Sequence, residues 1–167
     1  MVCRNFIPHE QCLKHKKRMD DLHEKGHYGY DSCKGSICFQ YEHHDLLEEC
    51  TDYISMVTEK NLEPTYDYSR IYYKGNVLRK HKDRAACEYS VTINIDTKGE
   101  PWAIYMDGKP VMLEQGDAVI YKGRDVQHWR DECPAESVHQ IFLHYVDMDG
   151  DCADEAHEYL KRKYANE

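Results

Sequence analysis

The chain has 167 residues, 41% of them hydrophobic, and a formal charge of −9 from 22 basic and 31 acidic side chains. That is enough for one domain with a sizeable core, and the acidic balance argues against nucleic acid as the default partner. No apolar run approaches the ~20 residues of a membrane-spanning helix. The first residues, MVCRNFIPHEQC, hold neither an apolar signal segment nor a small-residue cleavage site, so a cytoplasmic protein is expected. Eight scattered cysteines without a C-x-x-C pair read as free thiols.

In chain order, Pro8 suits a helix start, and Cys12, Met19 and Leu22 give it a thin apolar stripe that should end near Gly26. Residues 26–36 read as a surface loop, followed by a short strand, Ile37–Tyr41. Leu46, Leu47, Cys50, Tyr53, Ile54 and Val57 then follow the spacing of an amphipathic helix, which should stop before Asn61 and Pro64.

From Tyr66 the pattern becomes short β-rich runs between turn residues: 66–74, 77–81, 88–96, 101–106, 110–113, 118–121, 126–130 and 138–147. Asp107-Gly108 joins two of them as a tight hairpin. A last helix is expected over 153–164. The reading is a single α+β, mainly β domain over 1–167. Residues 1–65 form a helical support, 66–147 a jelly roll, or double-stranded β-helix, of about eight strands, and 148–167 a short C-terminal helix. The support helices should pack on one sheet.

Strand 88–96 places Tyr89, Val91, Ile93 and Ile95 on one face and Ser90, Thr92 and Asn94 on the other. Strand 138–147 similarly opposes Gln140, Phe142 and His144 to His139, Ile141, Leu143 and Tyr145. If helices cover the apolar faces, the polar faces line the barrel interior, as a site for a charged small molecule needs.

His81 and Asp83 form an H-x-D step, and side chains two apart on an extended backbone share a face. In a jelly roll the second strand pairs with the seventh, which brings His128 beside them. Two histidines and one carboxylate with open positions suit non-haem Fe(II), whereas a closed structural zinc site wants more sulfur or histidine. His23-Glu24-Lys25-Gly26-His27 also fits the H-E-x-x-H zinc-protease pattern, but Gly26 breaks a helix there.

The run RIYYKGNVLRKHKDRAACEYSVTINID, with PWAIY, GDAVIYKGRDVQHWR and VHQIFLHYVD after it, resembles the Fe(II)- and 2-oxoglutarate-dependent dioxygenases of the prolyl-hydroxylase type, over roughly Leu46 to Asp147. The resemblance implies His81, Asp83 and His128 as iron ligands, 2-oxoglutarate and O2 as co-substrates, and hydroxylation with release of succinate and CO2. It matches Tyr73 to a tyrosine that reaches the co-substrate.

The family's basic residue about ten positions after the distal histidine is missing, since Val138, His139 and Gln140 stand there. Arg130 is the expected replacement: it is at i+2 from His128, one strand repeat or about 6.6 Å deeper, and could grip a carboxylate bidentately. Gln140 and Arg84 are reserves. Trp102 and Trp129 are expected to wall the site, with loops 26–36 and 122–127 at its rim. A small-molecule or peptide substrate, possible prolyl residues included, is expected. The competing reading is a non-catalytic jelly roll that binds a metal or ligand.

Overall fold

The computed structural model of the chain describes residues 1–165. Its elements are β1 (Val2–Cys3), α1 (His9–Glu24), β2 (Ile37–Gln40), α2 (His44–Thr58), β3 (Leu62–Tyr73), β4 (Leu78–His81), β5 (Tyr89–Lys98), β6 (Ile104–Met106), β7 (Lys109–Val111), β8 (Ala118–Tyr121), β9 (His128–Arg130), β10 (Ser137–Asp147) and α3 (Glu158–Ala165). Single 3-10 turns lie at Ala85–Cys87 and Ala153–Glu155. No helix among the described residues is long and apolar enough to cross a membrane.

The strands form two antiparallel sheets, one of six in the order β1-β8-β5-β10-β3-β2 and one of four in the order β4-β9-β6-β7. Alternation decides how they sit. The odd-numbered side chains of β5 (Val91, Ile93, Ile95) and Ile141 and Leu143 of β10 bury against Cys12 and Met19 of α1 and Leu46, Leu47 and Ile54 of α2. Each such aliphatic side chain contributes about 1.5–3 kcal/mol by leaving water. The opposite faces, with Ser90, Thr92, Asn94, Gln140 and His144, are buried as well. They meet hydroxyl, amide and imidazole partners there instead of water.

Several boundaries differ from the expectation, each for a local reason. β3 starts at Leu62 and runs through Pro64, which is opposite Tyr145 where the pairing with β10 shifts register and where β2 no longer flanks the strand. The strand expected from residue 101 begins only at Ile104, because Pro101 offers no N–H to a ladder. The expected helix 153–164 is two pieces. Ala156 is extended, and His157 takes a positive φ of 58° to donate its N–H to the Pro64 carbonyl (2.8 Å). β1 is additional to the expected elements; two residues are too short for periodicity to show, and they pair with Ala118 and Val119 of β8. The turn before β8 depends on Gly116, whose φ is 85° and whose hypothetical Cβ would lie 2.6 Å from the Ile7 carbonyl oxygen.

A polar group is buried between the support helices and the sheet. His15 and His43 share a proton between their Nδ1 atoms (2.9 Å), His43 Nε2 meets Ser69 Oγ (3.1 Å), and the His43 N–H donates to Asp67 Oδ1 (2.8 Å). Burial, aided by the charge of Arg18, pushes His15 from its ordinary 6.5 down to about 4, and burial lowers His43 too. Burial moves the Asp67 carboxyl the other way, up to about 6. For His15 the unfolded chain binds the proton first, so its contribution to stability is lost as pH falls from 6.5 toward 4. Replacing His15 by Phe is therefore expected to make the acid-side fall of the urea midpoint shallower than in the parent between those pH values. Parallel slopes in the two proteins would refute it.

Candidate metal centre and its cavity

β4 and β9 lie side by side with His81 directly opposite His128. Asp83 follows two residues after His81 and is held by its own N–H, which donates to the Gly123 carbonyl (2.8 Å). The three side chains converge: Asp83 Oδ1 is 3.3 Å from His81 Nε2 and 3.4 Å from His128 Nε2, and ligand atoms of all three lie within 4.8 Å of one another.

The hydrogen bonds on the far side of each ring decide what this cluster can do. His81 Nδ1–H donates to the Arg79 carbonyl (2.7 Å) and His128 Nδ1–H to the Val126 carbonyl (2.9 Å). A carbonyl can only accept, so Nδ1 carries the proton and a neutral ring presents its Nε2 lone pair. Two bare lone pairs then face a carboxylate. Three donors of electron density at this separation repel unless a cation or extra protons lie among them, and fixing Nδ1–H on a carbonyl is how proteins prepare histidine as a metal ligand. The donor set therefore fits a divalent metal. Where protons on Nε2 take the cation's place, the protonated imidazoles hold Asp83 well below the usual carboxylate range against the pull of burial, and the hydrogen bond to Asp83 raises His81.

Gly123 makes this placement possible. A Cβ there would lie 2.3 Å from the Cys87 carbonyl oxygen, 2.6 Å from Asp83 Oδ2 and 2.7 Å from Ser90 Oγ. The backbone at 123 thus packs directly on the Asp83 carboxylate.

The centre opens into a cavity of about 280 Å³ between the sheets. Its wall includes Thr92, Tyr121, Phe142, His144, Tyr68 and Arg70, with Ser32 and Cys33 of loop 26–36 at one side. Residues 122–127 do not line it. His144 stacks on Tyr66 with ring centroids 4.6 Å apart, and burial lowers it to about 4. Ser90 gives its hydroxyl proton to the Cys87 carbonyl and meets His144 Nδ1 at 2.9 Å.

The remaining expected site residues fall in different places. Arg130 is 2% exposed and, like Gln140, does not line this cavity; it donates to Gln140 Oε1 (2.9 Å) and the Trp102 carbonyl (3.2 Å). It has no carboxylate partner, and its Nε has no hydrogen-bond partner, among the described residues. Burial lowers its pKa. Gln140 bridges from Arg130 to Asn94 (2.8 Å).

Arg84 is not at the cavity: it grips Glu158 of α3 through both nitrogens (3.0 and 2.7 Å). Tyr73 is a correction, since it packs on the helix-covered side of β3 with the main core. A one-residue step on a strand exchanges faces, and Tyr72 is the inward neighbour. Tyr72 is fully buried beside Trp102, and its hydroxyl accepts from Arg70 Nη1 (2.8 Å). Arg70 belongs to no motif, and the only signal for it in the sequence is β3 alternation from Tyr66, which puts Tyr68, Arg70 and Tyr72 on one face.

Neither tryptophan lines the cavity. Trp102 lies under Arg130 (4.6 Å), and Trp129 stacks on Tyr105 with Lys80 over it (4.4 Å). The H-E-x-x-H reading fails because α1 ends at Glu24 and Gly26 has φ 74°, so His27 leaves the helix that carries His23.

No protein-family model matches the chain, and no curated protein is significantly similar to it. Solved structures are. A Pseudomonas putida prolyl-4-hydroxylase superposes with a TM-score of 0.70 at 14% identity, over 88% of this chain and 91% of its own. The chain has the double-stranded β-helix fold. HygX from Streptomyces hygroscopicus, solved with nickel and 2-oxoglutarate bound, gives 0.71 at 8% identity over 88% and 82%. A Trichoplax adhaerens prolyl hydroxylase, solved with a fragment of hypoxia inducible factor, gives 0.68 at 13% over 89% and 84%. At these identities the likeness is one of architecture.

Replacing Gly123 by Ala is expected to displace the Asp83 carboxylate and lower divalent-metal affinity at least ~10-fold. Isothermal titration with Co(II), alongside far-UV circular dichroism to confirm folding, checks it; unchanged affinity in a folded variant would count against the close packing.

Proposed function

We propose that the chain is an Fe(II)- and 2-oxoglutarate-dependent dioxygenase that hydroxylates a small-molecule or peptide target, with prolyl residues the first class to test. The observation that carries this reading is the convergence of His81 Nε2, His128 Nε2 and an Asp83 oxygen, with both Nδ1 protons committed to carbonyls. The fold, shared with structures that bind 2-oxoglutarate, supports it.

When bound, iron with 2-oxoglutarate and O2 would supply the hydroxylating oxidant and leave succinate and CO2. The chain's own residues do the rest. His81, Asp83 and His128 would hold the metal through two Nε2 atoms and one carboxylate oxygen. Arg130 supplies the cation for the distal carboxylate: a buried guanidinium without an anionic partner costs several kcal/mol, and an incoming carboxylate removes that penalty. Tyr72 adds a hydroxyl beside it. Tyr68, Tyr121 and Phe142 keep bulk water from the reacting groups.

Mixing the protein anaerobically with Fe(II) and 2-oxoglutarate is expected to give the weak visible charge-transfer band of the chelate, and air is expected to produce succinate slowly even without substrate. His128→Ala should abolish both, and Arg130→Gln should weaken 2-oxoglutarate at least ~10-fold. A band without any succinate would point to a metal-binding module; no band at all would remove the proposal. Peptide and amino-acid pools scanned for a gain of one oxygen identify the target.

A further inference from the structure

Resting on that reading, we propose that Tyr66 and Cys87, which share the cavity with His81, Asp83 and His128, are a self-modification site: the oxidant made at the metal joins them by a thioether between Cys87 Sγ and the ring carbon beside the Tyr66 hydroxyl. The two side chains already touch. Tyr66 Oη and Cys87 Sγ are 3.1 Å apart, and one residue back on each segment Thr65 Oγ1 donates to the Ala86 carbonyl (2.6 Å). A phenol and a thiol are weak partners for each other, since sulfur is a poor donor and a poor acceptor. Neither atom makes another hydrogen bond among the described residues.

Both residues line the cavity into which the metal centre opens. Gly123 shows how near Cys87 lies to that centre, because its hypothetical Cβ would meet the Cys87 carbonyl oxygen at 2.3 Å and Asp83 Oδ2 at 2.6 Å. The Tyr66 ring is held in place by its neighbours. His144 lies 4.6 Å away between centroids, and the Arg84 guanidinium, itself gripped by Glu158, lies 4.8 Å over the ring. Cys87 is 3% exposed, and burial raises both the thiol and the phenol above their ordinary values. A buried, protonated thiol is a poor nucleophile, which closes disulfide exchange and alkylation to it. Loss of a hydrogen atom to an oxidant in the same cavity stays open, and phenol O–H and thiol S–H bonds give one up more readily than aliphatic C–H bonds do.

The step balances without any further reagent. The S–H bond of Cys87 and the ring C–H bond next to the Tyr66 hydroxyl break, and one S–C bond forms. The pair thereby loses two hydrogen atoms, that is two electrons and two protons. 2-Oxoglutarate and O2 take them up, giving succinate, CO2 and one water for each link. A turnover that finds no substrate is thus consumed on the chain itself. The link ties β3 to the 3-10 turn Ala85–Cys87, which follows Asp83 after a single residue, and so fixes the segment that carries Asp83.

The test is peptide mass mapping. The full chain, prepared without iron, is mixed anaerobically with Fe(II) and 2-oxoglutarate, exposed to air without substrate, then reduced, alkylated and digested with trypsin. Cleavage after Lys60, Arg70, Arg84 and Lys98 releases peptides 61–70 and 85–98. They are expected as one joined species, lighter than their sum by two hydrogens and with Cys87 unalkylated, alongside at least one succinate per link. Fragmentation should place the link at Tyr66 and not at Tyr68. Tyr66→Phe, Cys87→Ser and His128→Ala should each leave the peptides separate, as should the parent chain unfolded in guanidinium chloride and given the same reagents. Succinate formed while the parent's peptides stay separate, or an oxygen added to Cys87 in place of the link, would overturn the inference and leave the co-substrate reading intact. A link that persists in His128→Ala or in the unfolded chain would also overturn it, as the chemistry of free iron. Neither succinate nor link would remove the reading and the inference together.

Discussion

A polar face buried between two sheets is the constraint on which the rest of this structure depends. In an ordinary antiparallel sheet the apolar side turns to the core and the polar side to water. Here α1 and α2 take the apolar side of the six-stranded sheet, through Met19, Leu46, Leu47 and Ile54 against Val91, Ile93, Ile141 and Leu143. Ser90, Thr92, Asn94, Gln140 and His144 are thereby turned inward, where each unpaired polar atom costs free energy. The hydrophobic layer outside carries the stability that the polar layer inside cannot supply.

That interior is organised as two charge problems at two depths. At the mouth, two bare imidazole nitrogens and a carboxylate lack a cation. Deeper in, Arg130 lacks an anion, with Tyr72, Arg70 and Gln140 around it. In the function proposed above, a divalent metal would answer the first and a carboxylate the second. The two needs lie two residues apart on β9, at His128 and Arg130, both buried.

Much of this was legible along the chain because it depends on local periodicity. The H-x-D step, the faces of β5 and β10, and the inward course of Arg130 two residues after His128 all follow from the two-residue repeat of a strand. Local periodicity does not reach the features that turn on a one-residue difference or a distant partner. Tyr73 and Tyr72 are adjacent and chemically alike, and only the pairing of β3 with β10 says which one turns inward. Arg84 looked available beside Asp83, yet Glu158, 74 residues away, holds it. Asp31 stands in a glycine-containing loop with no periodicity to read, and its contact with Arg70 spans 39 residues.

The sequence by itself determined the residue types of the candidate site, their spacing, the alternation that makes one face of each long strand polar, and the helices that cover the other face. These are properties of neighbouring residues on one backbone. Only the tertiary structure decided that His81 is opposite His128, that Nδ1 carries the proton on both rings, that Gly123 seats Asp83, and that Asp31, Arg70 and Tyr72 form one chain of hydrogen bonds. Those outcomes depend on strand register and on which distant donor meets which acceptor, and neither is encoded in any stretch short enough to read locally.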